Sequence, residues 1–140
     1  MENMREHAEV IKEYLEQKGI MPFCDDRKGL VAVKFNDAGV AFQVSDEVIE
    51  LQSYPEIEVS EEAYHEVLEY LNKVNSIFPE VCSEIDPETG ICFRVTSCVE
   101  KGTTVQVSQI EQMLDVCSVV GGILFEGVKL IMDDVFNAEE

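Results

Sequence analysis

The chain has 140 residues, with 29 acidic against 10 basic side chains, a formal net charge of −19 and 46 % hydrophobic residues. That length favours one domain over residues 1–140 and suffices for a core without metal or disulfide staples, and the apolar fraction excludes disorder. So negative a chain repels phosphates, which excludes independent binding to nucleic acid or to an anionic membrane and leaves protein partners. The acid is a coat rather than a tail: no five like charges run together, and the largest share, −6, falls in residues 103–140.

In chain order, Met4, Ala8, Ile11, Tyr14 and Leu15 recur at helical spacing and predict a first helix over about Asn3–Lys18, stopped by Gly19. Ile20–Cys24 reads as a short extended piece that Pro22 confines to a sheet edge. Val31, Val33 and Phe35 alternate, Asn36-Asp37-Ala38-Gly39 reads as a turn with Gly39 at positive φ, and Val40, Phe42 and Val44 continue the alternation. A third strand is predicted over Val48–Tyr54, ended by Pro55.

Ser60 is an N-cap candidate for a second helix with a stripe of Ala63, Val67, Leu68, Leu71 and Val74, ending near Ile77-Phe78-Pro79. Val81–Ile85 and Ile91–Val99 form a second hairpin around Asp86-Pro87-Glu88-Thr89-Gly90. The order is α-β-β-β-α-β-β-α, an α+β class with a twisted, mainly antiparallel sheet and helices packed on it.

The last helix opens with Ser108 and Glu111 as a capping box. Ile110, Leu114, Cys117, Gly121, Leu124, Val128, Ile131 and Val135 form one apolar row, and Met113, Val116, Val120, Ile123, Gly127 and Leu130 a second beside it. One row can cover the sheet. The other is either buried by the chain's own elements or meets a partner or a second subunit, which makes Met113, Val116, Val120, Ile123 and Leu130 the candidate partner or dimer surface. Gly121-Gly122 costs up to about 1 kcal/mol per glycine and leaves open whether this helix is continuous or kinked.

The five cysteines, Cys24, Cys82, Cys92, Cys98 and Cys117, are odd in number and lack C-x-x-C spacing, so zinc and thioredoxin-type motifs are unsupported and most are expected in the core. The charged start Met1–His7 lacks the apolar stretch of a signal peptide, and no run of about 18 apolar residues predicts a membrane span. Free thiols then point to the reducing cytoplasm. Glu62 and His65 share a helix face in E-x-x-H spacing, but the second such motif that a di-iron site needs is missing. Asp86-x-Glu88-x-Gly90 lacks the closing ligand of a calcium loop. Nucleophile-elbow, phosphate-loop and dinucleotide motifs are absent, so neither catalytic residues nor a cofactor is assigned. Asn72 and Asn75 read as residues tying the second helix's end to the next strand.

The hairpin Leu30–Val44, the string Leu71-Asn72-Lys73-Val74-Asn75, the turn and strand Asp86–Val99 and the capped helix from Ser108 resemble the YbjN-like family of bacterial sensory-transduction regulators. That family is similar in fold to the type III secretion chaperones, and the resemblance runs from about Met4 to Phe136. It implies an α+β sandwich, often dimeric, with a non-enzymatic role in binding or regulating polypeptides, and it supplies no catalytic residues. The expected function is a chaperone-like module holding a client polypeptide or regulator through apolar surface on the sheet or last helix. Two alternatives stand beside it: an acidic domain meeting a basic protein surface, and a small-ligand sensor.

Overall fold

The computed structural model describes residues 2–35, 38–55, 57–86 and 90–138. Helix α1 spans Glu2–Gln17, strands β1–β4 Phe23–Asp25, Leu30–Phe35, Ala38–Val44 and Val48–Tyr54, helix α2 Tyr64–Ile77, strands β5 and β6 Val81–Asp86 and Gly90–Cys98, and helix α3 Val107–Ala138. The strands form one antiparallel sheet in the order β1-β2-β3-β4-β6-β5. The class is the expected one, and the extended piece at Pro22 adds β1 as an edge strand. Residues 36–37 and 87–89 of the two expected turns lie outside the described residues, as does Glu88 of the calcium-like string. Gly39 sits in β3 paired with Lys34 and Tyr54 and is not among the glycines at positive φ, because it is already part of the extended ladder.

Period-two alternation sends one side chain in two to the inner face. Val33, Val40, Ser53, Phe93 and Ser83 lie in register across five strands, and Val31, Phe42, Leu51, Val95 and Val81 form the neighbouring row. All ten are buried. The three helices cover this face: α1 packs on β2 and β3, α2 on β5, and α3 lies between them over β4 and β6. Burying Phe42 and Phe93 fully stabilises the fold by about 1.5–3 kcal/mol each.

Helix α1 buries Ile11 and Leu15 and stops as its sequence dictates. Gly19 adopts φ 80°, its N–H reaches the Glu16 carbonyl at 3.0 Å, and the Ile20 N–H reaches the Leu15 carbonyl at 2.9 Å, a Schellman cap. His7 on α1 is fully buried. Its Nδ1 accepts the Val105 N–H at 3.0 Å, so Nε2 carries the proton and donates to the Asp46 carbonyl at 3.0 Å. One imidazole thus ties α1 to the β3–β4 turn and to the loop entering α3.

Helix starts differ from the expected caps. Ser60 precedes a 3-10 turn, Glu61–Ala63, and its side chain makes no cap bond. Helix α3 begins one residue before Ser108, so that Ser108 sits inside the first turn, and the Gln109 side chain accepts the Gln106 N–H at 3.0 Å. Leu68 is exposed because it turns to the flank of α2, away from the buried line Ala63, Val67, Leu71 and Val74. Only Cys92 and Cys117 are buried; Cys24 is half-buried, and Cys82 and Cys98 are exposed, although Cys82, Cys92 and Cys98 all stand on the side of the sheet away from the helices. Burial pushes the Cys117 thiol up, partly offset by its hydrogen bond with Ser53.

Helix α3 is continuous through Gly121 and Gly122 for 32 residues, about 48 Å. Its contact with α2 is closest at Gly127 among its glycines, where an added Cβ would collide with the Tyr70 ring and hydroxyl. The missing side chain lets Tyr70 cross the helix and donate to the Ile123 carbonyl at 2.9 Å. Burial pushes the Tyr70 phenol up.

Gly127→Ala is expected to destabilise the protein by about 1–2 kcal/mol in denaturant unfolding, because displacing Tyr70 outweighs the better helix propensity. In a Tyr70→Ala background the same change becomes neutral or stabilising by up to about 1 kcal/mol. Destabilisation of equal size in both backgrounds would contradict the Tyr70–Gly127 contact.

Candidate partner-binding surface

The second apolar row of α3 does not form one face. Met113 and Val120 are 3 % and 1 % exposed and lie within the chain's own core, Val116 and Ile123 are half-buried against it, and Leu130 is 64 % exposed. The reason is the position of α3 between α1 and α2: with the sheet beneath and a helix on each side, a wide arc of its circumference is covered. The apolar side chains it leaves in solvent include Val119, Phe125, Leu130 and Phe136.

The two edges of the sheet are treated differently. At β5, Asn75 of α2 stands in for a neighbouring strand. Its Oδ1 accepts the Ser83 N–H and the Ser83 hydroxyl, each at 2.7 Å, and its Nδ2 donates to the Ser83 carbonyl at 3.0 Å. This satisfies the outward backbone groups of Ser83, at the middle of that edge. The reading of Asn75 as a tie to the next strand holds, whereas Asn72 is exposed.

At the opposite edge, β1 pairs with β2 alone. Here stand two strongly exposed apolar side chains, Met21 at 86 % and Phe23 at 67 %. With Ala32, Val33, Lys34 and Gly39 they line a shallow cleft of about 440 Å³. The register aligns Phe23, Ala32 and Ala41 on the outer face, so the phenylalanine stands in a row with two small side chains. Among the described residues no helix packs on this face. The sequence marks the edge through Pro22 but not its exposure, because Ile20–Phe23 carries neither helical nor alternating spacing.

Further along the same row stand Gln52, Arg94 and Cys82. Arg94 lies 3.6 Å from Glu50 and 4.0 Å from Glu84, and its Nη2 is 3.7 Å from the Cys82 Sγ. The hydrogen bond with Cys82, then the Glu84 charge, push the guanidinium up, so it remains charged and locally balanced. The cleft beside it, about 450 Å³, is lined by polar groups including Glu50, Glu80 and Thr96. His65, the E-x-x-H candidate, is exposed and pairs with Glu69 at 3.1 Å. Among the described residues no group of three His, Cys, Asp or Glu is placed to hold a metal ion, and no helix is long and apolar enough to cross a membrane.

Asn75→Ala should cost about 2–3 kcal/mol in equilibrium unfolding, since it leaves the buried Ser83 N–H and carbonyl without the amide that pairs them. Asn75→Asp should also destabilise, because the donor to the Ser83 carbonyl is lost. Wild-type stability in the aspartate variant would show that this donor is dispensable.

The fold built this way is shared with known structures. The crystal structure of YbjN from E. coli, described as a "putative transcription regulator", superposes with a TM-score of 0.59 at 13 % identity, covering 84 % of this chain and 88 % of that one. The crystal structure of the ExsC-ExsE complex superposes with a TM-score of 0.64 at 15 % identity, covering 86 % and 92 %. The architecture is therefore the α+β, type III secretion chaperone-like fold expected from the sequence. No curated protein sequence matches the chain. The family model for YbjN, "Putative bacterial sensory transduction regulator", matches residues 7–118, from the buried His7 to the middle of α3, and the chain belongs to that family.

Proposed function

We propose that this protein is a non-enzymatic binding module that holds an extended segment of a partner polypeptide against the β1 edge. The observation that carries this reading is the asymmetry of the sheet: Asn75 closes β5, while β1 offers one-sided backbone pairing beside exposed Met21 and Phe23. An extended chain added there would continue the hydrogen-bond ladder and seat alternate apolar side chains over Ala32 and Gly39. The fold's occurrence in a two-protein complex, ExsC-ExsE, supports a protein partner. The −19 coat keeps such an apolar contact soluble and favours a segment carrying lysine or arginine beside its apolar residues. The exposed part of α3, with Leu130 and Phe136, extends the apolar surface available to a partner or to a second copy in a homodimer. Five free thiols suit the reducing cytoplasm.

The charge itself supports a second reading, an acidic domain held to a basic protein surface by electrostatics alone. Salt separates the two, because the Debye length falls from about 10 Å at 0.1 M to about 3 Å at 1 M. With the full chain immobilised and exposed to a lysate of its source bacterium, capture of a partner is expected to survive 1 M salt. It should fall at least tenfold when Met21→Asp and Phe23→Asp are combined, with the circular dichroism spectrum unchanged. Capture abolished by salt and indifferent to those substitutions would favour the electrostatic reading.

A further inference from the structure

Three glycines fall in α3 within seven residues, and packing requires only one. A Cβ at Gly127 would collide with Tyr70, but at Gly122 it would meet nothing within 4 Å, and at Gly121 only ordinary contact with the Phe93 ring at 3.7 Å. Gly121 and Gly122 each weaken a helix about fivefold relative to alanine, the equivalent of roughly 1 kcal/mol, with no steric return.

The segments on either side are anchored unequally. Before the pair, α3 buries Ile110, Met113, Leu114, Cys117 and Val120. There Gln109 also bonds Ser97 and the Cys98 carbonyl. Beyond the pair, among the described residues, Leu124 and Val128 are buried, Ile123, Ile131, Met132 and Val135 are half-buried against the core, Leu130 and Phe136 are 64 % exposed, and the Tyr70 hydroxyl donates to the Ile123 carbonyl.

We propose that α3 is two segments, 107–120 and 123–138, joined by a hinge at Gly121-Gly122, the second being a strap latched by Tyr70 against Gly127 that opens as one unit while the rest of the fold stays closed. Opening would uncover Leu124 and Val128 and the α2 surface beneath Tyr70. This inference is independent of the β1 edge.

Amide hydrogen exchange followed by mass spectrometry on the full chain tests it. Peptides from 123–138 are expected to exchange at least tenfold faster than those from 107–120, with a step at the glycine pair. Gly122→Ala, which has open space for its methyl group, should slow the 123–138 segment about fivefold, the equivalent of the glycine penalty. Tyr70→Phe should speed the same segment, and neither should alter 107–120. Graded fraying inward from the last residues, with 123–128 as slow as 107–120, would overturn the proposal, and so would unchanged exchange of 123–138 in Gly122→Ala.

Discussion

The inner face of a six-stranded sheet has to be covered by three helices from a short chain, and α3 must lie in the middle of that cover. It packs against both of the other helices, and the core runs beneath it from Ile110 to Val128. Its placement depends on two contacts of unlike kind. Near its start, the His7 imidazole joins α1 to the loop entering α3 through the Val105 N–H, with both ring nitrogens used. Near its end, the absent side chain of Gly127 admits Tyr70. Among the described residues the helices lie on one face, and toward β1 the other face carries small residues such as Ala32, Gly39 and Ala41.

Much of this was legible from the chain. The alternation in 30–44, 48–54 and 81–95 marks the inner rows, since a period of two can bury only one face. Gly19 marks the end of α1, since a left-handed residue is what its cap requires. The pairing of β1 was not legible: three residues next to a proline carry no pattern, and only the neighbour β2 makes them a strand. Nor was the phase of α3. Its two apolar rows lie close together on the helix surface, and spacing cannot say that a helix on each flank buries Met113 and Val120 while Leu130 extends into solvent. Gly127 looked like a weak member of an apolar row, because the ring that needs its missing side chain lies on α2, 57 positions earlier. Gln109 displaced Ser108 and Glu111 as the cap by the same logic, since the helix start is set by where Val105 meets His7.

The functional argument rests on how the sheet ends. An unpaired edge invites association with other chains, and proteins ordinarily blunt it. This one does so at β5 with an amide that copies a strand's hydrogen bonds. At β1 it leaves a phenylalanine and a methionine beside the open ladder. An apolar edge left in place on a chain of −19 is tolerable because mutual repulsion between copies opposes aggregation. Charge and edge then work together: the coat keeps the free protein dispersed, and the edge supplies the contact.

The most direct measurement is amide exchange across β1 in a complex of the full chain with its captured partner, compared with the free protein. The account predicts slowed exchange in the Phe23–Asp25 strand on binding, with β5 unchanged because Asn75 already closes it. Unchanged exchange at β1, with protection confined to the exposed face of α3 around Val119 and Leu130, would contradict it.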